Sequence, residues 1–409
     1  VILVLSNGHG EDLIGATLAA KVRSAGPEAE VEALAVVGEG KPYAQAGLPL
    51  IGPRRILPSG GFTRNSLTNL VADLRAGLVP LLLGQMAAVR ARRRQTELVV
   101  AVGDILVLWL ARRQARRPTI FLPTAKSDYL APHFPVEVAL MRECRKVFPR
   151  DALTAAQLSA QGVAAEYVGN AMMDCLNLSG ADLRPALGPV AHVVGLLPGS
   201  REEAYLNLAD LTAVAAGLAR SSAAPLAFPV ALAPGLDPLR AAEAIGAAGG
   251  DAALLDEAAA DQPSPWPANP AAPGAPAAAR PILTLVPGRF GDVVLASDVV
   301  VGLAGTANEQ AAGLGRPVVT FPGRGAQFTL RFARAQQRLL GEAVALVERD
   351  FGRVAETVRR ILDDPAEHAR RAAVGRERMG GPGATDRMAA EIRSAWEEER
   401  ATKREAPRK

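Results

Sequence analysis

Two doubly wound α/β domains are the architecture that this sequence predicts, and three observations predict it. First, 409 residues exceed one ordinary core and suit two domains of roughly 170 to 200 residues each. Second, short, mostly apolar β-branched runs recur at residues 1–5, 31–37, 98–102, 119–122, 146–148 and 165–168. Runs without polar alternation belong to strands covered on both faces, as in parallel sheets. Third, the pattern restarts after Gly169, at 193–197, 226–232, 282–286, 298–302, 318–321 and 343–347, with helical stretches between, so a second sheet follows the first.

The boundary falls where Gly180, Pro185, Gly188 and Pro189 interrupt the periodicity. The expected domains are therefore 1–178 and 179–375, with 376–409 forming a C-terminal helix over about 386–399 and a charged tail from Thr402 that frays. Residues 257–280 are rich in Pro and Ala. They bury too little surface to offset ordering entropy and read as a mobile insertion in the second domain.

Composition narrows the chemistry. Cys144 and Cys175 have neither metal-ligand spacing nor a disulfide framework, so a reducing compartment is expected. His9, His133, His192 and His368 are scattered, so no metal site and no cofactor are expected. The net charge of +4 suits phosphate-bearing ligands or an anionic surface, and nothing in its pattern points to nucleic acid. The opening run Val1-Ile-Leu-Val-Leu5 is too short for a signal sequence and lacks a basic leader. It reads as a first strand. No stretch of about twenty apolar residues occurs, so no membrane span is expected.

Four strand ends carry candidate chemistry. At Leu197-Pro198-Gly199-Ser200-Arg201 a buried strand runs into a turn and a helix from about Glu202. Gly199 permits close backbone approach, Ser200 offers a hydroxyl, and Arg201 can grip phosphate oxygens in a bidentate fork; an ordinary turn with an exposed Arg has the same letters. At Gly305-Thr306-Ala307-Asn308-Glu309-Gln310 a small-residue turn opens another helix. Amides at that helix start suit a diphosphate, and Glu309 can hold ribose hydroxyls. Thr306-x-x-Glu309 is equally a capping box, in which the glutamate folds back onto the backbone.

In the first domain, Ser6-Asn7-Gly8-His9-Gly10-Glu11-Asp12 joins a strand to a helix whose Leu13, Ile14, Leu18 and Val22 should face the sheet. His9, flanked by glycines at a strand's carboxyl end, is placed for proton transfer; a solvent-exposed turn His is the plainer reading. Asp104 follows a fourth strand end and can accept a proton from a hydroxyl, or can simply be the N-cap of the helix at 105–112.

In their order along the chain these pieces resemble the lipid-A-disaccharide synthase family, and especially its bacterial synthase-related branch. The resemblance spans nearly the whole chain. Its most specific residues are Leu197-Pro198-Gly199-Ser200-Arg201, the stretch Tyr167-Val168-Gly169-Asn170-Ala171-Met172-Met173-Asp174, where the family has Gly-His/Asn-x-x-x-Asp, and Gly305-Thr306-Ala307-Asn308-Glu309. The likeness implies a GT-B type fold, two Rossmann-like domains facing across a cleft with C-terminal helices packing back toward the first. It also implies inverting, metal-independent transfer of an N-acetylglucosamine-like sugar from a UDP-sugar donor to a lipid or lipid-linked acceptor.

By that likeness Gly199, Ser200, Arg201 and the Gly305–Ala307 turn bind the donor's diphosphate, and Glu309 its ribose. Gln310 and Gln327 approach the donor sugar, and Asp104 stands near the acceptor as base, with His9 as the other candidate. The acceptor side departs from the family. Asn7, Gly8 and Glu11 lie in a loop where the family has Ala-Gly-Glu-x-Ser-Gly-Asp, and Phe121-Leu122-Pro123-Thr124-Ala125-Lys126-Ser127-Asp128-Tyr129 replaces an aromatic Ser-x-x-Trp-Ala-Trp segment.

The apolar stretch 78–84, with Arg75 before it and Arg90, Arg92, Arg93 and Arg94 after it, has the makeup of a segment seated on an anionic bilayer; a buried helix with a charged end has the same makeup. A cytoplasmic protein, peripheral on the inner face of the cytoplasmic membrane, is the expected setting. Two rival functions share the fold: a UDP-sugar epimerase, which needs no acceptor, and a non-catalytic nucleotide-sugar-binding envelope protein.

Overall fold

Every second residue of the first strands belongs to one buried cluster and the residues between them to another, which is how a parallel sheet with helices on both faces is built. Ile2, Val4, Val100 and Ile120 pack on one side, Leu3, Leu5, Val99 and Phe121 on the other. The structure is a computed structural model and describes residues 1–26, 28–56, 72–176, 178–255, 264–265 and 280–405. The chain divides into two compact units, Val1–Cys175 with Gly381–Lys409, and Leu176–Gly380.

In the first unit β1 (Ile2–Ser6), β2 (Val31–Ala35), β3 (Leu98–Gly103), β4 (Thr119–Pro123) and β5 (Lys146–Val147) form a parallel sheet in the order β2-β1-β3-β4-β5. Its helices are α1 (His9–Ala25), α2 (Lys41–Gln45), α3 (Leu78–Arg92), α4 (Ile105–Leu110), α5 (Pro135–Arg142) and α6 (Ala152–Ala160). From β1 the chain moves to one neighbour, and from β3 it moves the other way. The loops after these two strands therefore part, leaving a crevice at a topological switch point.

Residues 165–168, expected as a strand, are not one. Ala165 makes only an isolated bridge to Val147, because β5 offers two residues for pairing and the chain then turns at Gly169, whose φ of 106° favours glycine. In α1, Ile14, Leu18 and Val22 are buried as expected, whereas Leu13 is 38% exposed, since its neighbour Ile14 already occupies the sheet-facing stripe.

The second unit has an eight-stranded sheet made from β6 (His192–Leu197), β7 (Leu226–Leu232), β8 (Asp251–Leu254), β9 (Ser264–Pro265), β10 (Ile282–Pro287), β11 (Val299–Gly302), β12 (Val318–Thr320) and β13 (Val344–Leu346). The order is β13-β12-β11-β6-β7-β10-β8-β9, parallel except for β9. The helices are α7 (Glu203–Ser221), α8 (Pro238–Ala247), α9 (Phe290–Ala296), α10 (Thr306–Gly313), α11 (Leu330–Leu340), α12 (Phe351–Asp363) and α13 (Pro365–Met379). Here the switch point lies between β6 and β11. Of the expected insertion at 257–280, Ser264, Pro265 and Arg280 are described, and the rest lies outside the described residues.

On the buried face of α7 stands Asp210, with no exposed surface. Arg349 reaches both of its oxygens and Arg324 one of them, at 2.8–3.1 Å. A buried carboxylate is tolerated only when paired in this way. The pairing ties the loops after β12 and β13 to α7.

The final helix, α14 (Ala384–Glu405), returns to the first unit, where Met388, Ile392, Ala395 and Trp396 join the cluster of Val4, Leu18 and Val22. The helix continues through Glu405, beyond the expected 386–399, and residues 406–409 lie outside the described residues. Asp174 fixes the start of this helix, accepting from the Thr385 amide at 2.6 Å and hydroxyl at 2.8 Å. That contact gives the acidic end of the Asn170-to-Asp174 motif a structural task. Among the described residues no helix is long and apolar enough to cross a membrane.

Trp396 is 2% exposed and donates to Glu97 Oε2 at 2.8 Å. Trp396→Ala opens a cavity and orphans that bond, so urea unfolding of the first unit should show a loss of about 3–5 kcal/mol; a loss below about 1 kcal/mol would contradict this docking of α14.

Candidate functional site

The turn after β6 is built around one backbone demand. Gly199 has φ of 105°, a conformation that costs a side-chain-bearing residue about 1 kcal/mol or more. Asn207, buried on α7, donates to the Pro198 carbonyl at 2.9 Å and holds the turn from behind. Ser200 and Arg201 are thereby presented at the surface, ahead of α7.

The turn after β11 is held by a second buried amide network. Asn308 donates to the Gly302 carbonyl at 3.1 Å and to Gln336 Oε1 at 2.8 Å, and Gln336 donates to the Gly305 carbonyl at 2.8 Å. Gly302 is required here, because a Cβ would lie 1.9 Å from Asn308 Oδ1. With the turn's carbonyls engaged behind, the first amides of α10 remain, as at any helix start, without intrahelical acceptors and with partial positive charge.

Helix α10 starts at Thr306 with Gly305 as its N-cap and no side-chain cap. The capping-box alternative is therefore not realised. Thr306 lies one position inside the helix, which shifts Glu309 past the third position from the cap.

These two turns meet. A cavity of about 520 Å³ lies at the carboxyl ends of β6, β7, β10 and β11, and Gly199, Ser200, Arg201, Gly305, Thr306 and Ala307 all line it. Its size falls within the range of small-molecule sites, roughly 300–1,000 Å³. Gln310, largely buried, and Gln327, exposed, line it too. Glu309 does not, although it follows immediately on the same helix.

Gln327 and Phe328, from the segment 322–329, form another part of the wall. Glu203 Oε1 accepts from the Ala326 amide at 2.8 Å, and a Cβ at Gly325 would sit 2.0 Å from the Glu203 carboxyl carbon. Phe328 and Phe332 pack with centroids 5.4 Å apart and also border the cavity. Neither they nor Asn207 and Gln336 stood out as site residues in the sequence. The available signal was a polar residue in the buried phase of an apolar helix stripe, as with Asn207 between Ala204 and Leu208.

In the first unit the switch point is tighter. Gly103 has φ of 137°, and a Cβ there would fall 1.8 Å from Asn7 Oδ1, so the loops after β1 and β3 touch. His9 is exposed and is the first residue of α1, whose N-cap is Gly8. Glu11 Oε1 accepts from the Thr124 hydroxyl at 3.1 Å. Asp104 caps α4, with Oδ1 accepting from the Leu106 amide at 2.9 Å. It also borders a cavity of about 10 Å³ with Lys126, His133 and Glu137; Asn7, Gly8, His9 and Glu11 do not line that cavity.

Behind this loop Ser6 donates to Asp12 Oδ1 at 2.5 Å and pairs with the buried Tyr43 hydroxyl at 2.7 Å. Burial pushes Asp12 up to about 6, against the Ser6 hydrogen bond and with the help of nearby Glu11. An acid whose folded pKa is raised binds its proton more tightly when folded, so stability falls as pH rises from about 4 to about 6 and is level above that. The loss should approach about 3 kcal/mol at most. Asp12→Asn should remove that slope in chemical unfolding across pH 4–7; an unchanged slope would contradict the assignment.

The sequence matches no family model, and no curated protein matches it. Its structure does have counterparts. A structure described as a putative UDP-N-acetylglucosamine 2-epimerase from Listeria monocytogenes superposes with a TM-score of 0.59 at 14% identity, covering 97% of each chain. Acinetobacter baumannii MurG does so at 0.56 and 14%, covering 96% of this chain and 99% of its own. The UDP-GlcNAc 2-epimerase from Neisseria meningitidis bound to UDP-GlcNAc gives 0.55 and 14%, with 96% and 98% covered. The chain thus has a GT-B type fold of two Rossmann-like α/β units, and at such identities the likeness shows the fold alone.

Proposed function

We propose that the protein is a glycosyltransferase that uses a UDP-sugar donor, with an N-acetylglucosamine-like sugar, and transfers it with inversion to a lipid or lipid-linked acceptor. The observation that carries this reading is the convergence of Arg201 and the start of α10 on one cavity of about 520 Å³. A guanidinium fork and a helix N-terminus are two independent ways to hold phosphate oxygens. Structures of the same fold described as bound to UDP or UDP-GlcNAc, and the resemblance to lipid-A-disaccharide synthases, support the nucleotide assignment.

In this mechanism Asp104, or His9 in its place, takes the proton from the acceptor hydroxyl as its oxygen attacks the anomeric carbon opposite UDP. Arg201 and the amides of Thr306 and Ala307 stabilise the charge that grows on the leaving diphosphate. Gln310 and Gln327, which line the same cavity, contact the sugar in this reading. Glu309 is not on the cavity wall, so the ribose role passes from it to other lining groups.

Arg201→Ala should weaken UDP binding in calorimetry by roughly 10- to 100-fold, the worth of one or two charge-assisted hydrogen bonds, with an unchanged melting temperature. Equal affinity in both proteins would refute the phosphate assignment.

A second reading, a UDP-sugar epimerase, is favoured by the epimerases among the structural counterparts. The two separate cleanly when purified protein is incubated with UDP-GlcNAc alone and then with native membrane lipids. Transfer requires UDP release only with lipid present; a 2-epimer formed with donor alone would displace it.

Helix α3 supports a membrane-surface acceptor. Val79 and Leu83 are 51% and 59% exposed, and Arg93 and Arg94 are exposed at the same helix's end, a combination suited to an anionic bilayer. Cosedimentation with vesicles containing phosphatidylglycerol should be lost in Val79→Ser/Leu83→Ser, and absence of binding by the wild type would remove the membrane from this account.

A further inference from the structure

The small cavity beside Asp104 contains chemistry that the proposed transfer has not yet used. His133, its side chain 3% exposed, places Nδ1 3.3 Å from Glu137 Oε2. That oxygen also receives Lys126 Nζ at 2.6 Å and the Phe134 amide at 2.8 Å, and Lys126 lies 3.7 Å from the Phe134 ring centroid. Burial pushes Glu137 upward, but the bonds from Lys126 and Phe134 outweigh it and hold the carboxyl below its ordinary value.

An ionised carboxylate only accepts hydrogen bonds. The neutral imidazole must therefore carry its proton on Nδ1, which leaves Nε2 a bare acceptor. Burial lowers His133 below its ordinary value, while Glu137 and Asp128 pull it up and Lys126 opposes them. Nε2 is buried and meets no hydrogen-bonding partner among the described residues. The cavity that His133 lines is bordered by Asp104, Gly103 and the apolar Phe121 and Met141, and its volume of about 10 Å³ suits about one water molecule.

The geometry points to a buried proton relay in which one water joins His133 Nε2 to the Asp104 carboxylate and Glu137 orients the imidazole. It rests on the reading of Asp104 as the group that meets the acceptor. As the acceptor oxygen bonds to the anomeric carbon and the bond to UDP breaks, the hydroxyl proton goes to Asp104. Asp104 gives that proton to the water, the water passes one of its own to Nε2, and Glu137 balances the imidazolium. Asp104 is thereby an anion again while product leaves, and the imidazolium then returns its proton through the same water and Asp104 to solvent in the emptied acceptor site, which resets the relay. His133 and Glu137 are positioning residues, acting on the substrate only through Asp104.

The test needs no substrate. Protein labelled with ¹⁵N-histidine gives two-bond ¹⁵N–¹H correlations that identify the tautomer, with His133 assigned by the signal absent from His133→Gln. We expect Nδ1–H with an unprotonated Nε2. In Asp104→Asn, which keeps an oxygen to cap α4 and removes the charge, the Nε2 signal should move while those of His192 and His368 stay in place. An Nε2–H tautomer, or an Nε2 signal indifferent to Asp104→Asn, would overturn the relay. Absence of UDP release with every acceptor would instead overturn the transferase reading, while the histidine spectra judge the relay separately.

Discussion

A parallel sheet covered on both faces has no room for ions along its strands, and everything else in this molecule follows from that constraint. Leu3, Val99 and Phe121 press one face of the first sheet, and Ile2, Val100 and Ile120 press the other. Polar groups are then displaced to strand ends, where loops meet water. Where consecutive strands carry the chain in opposite directions, those loops separate and leave a hollow. In the second unit the hollow lies beyond β6 and β11, and the helix that follows β11 aims its amide end into it.

The two units spend this opportunity differently. In the second, buried amides do the structural work from behind: Asn207 holds Pro198, and Asn308 and Gln336 hold the carbonyls of Gly302 and Gly305. Their side chains hold those carbonyls from behind, and the cavity side carries Arg201, the start of α10 and one carboxylate, Glu203. In the first, Gly103 lets Asn7 close against the loop after β3, and the remaining space is small and lined by Asp104, His133, Lys126 and Glu137. A guanidinium and a helix start beside an open hollow suit an anion; a tight space lined by titratable groups suits proton movement.

Much of this was legible in the letters. The apolar runs identified eleven of the strands because burial on both faces erases polar alternation. Strand β8 escaped because Asp-Ala-Ala-Leu carries no β-branched signal, and β9 because its two residues sit within a Pro/Ala-rich stretch. The glycine turns at Gly199 and Gly305 were visible as turns, since each marks an abrupt end to an apolar run. What the letters did not convey is phase. The capping box failed because α10 begins at Thr306 rather than after it, and Glu309 does not border the cavity. Asn207 and Gln336 were equally hidden: Asn207 is a polar letter within the buried stripe of the very next helix, and Gln336 reaches the turn after β11 from a helix about thirty residues further on. Asp104 is a case where two readings coexist: it caps α4 through one oxygen and still borders a cavity.

In the proposed donor complex one pyrophosphate bridges the turn after β6 and the start of α10. A crystal structure of the protein soaked with UDP tests it most directly. Diphosphate oxygens are expected within hydrogen-bond distance of both the Arg201 guanidinium and the amides of Thr306 and Ala307. Ordered UDP bound elsewhere, or touching only one of these two groups, would contradict it.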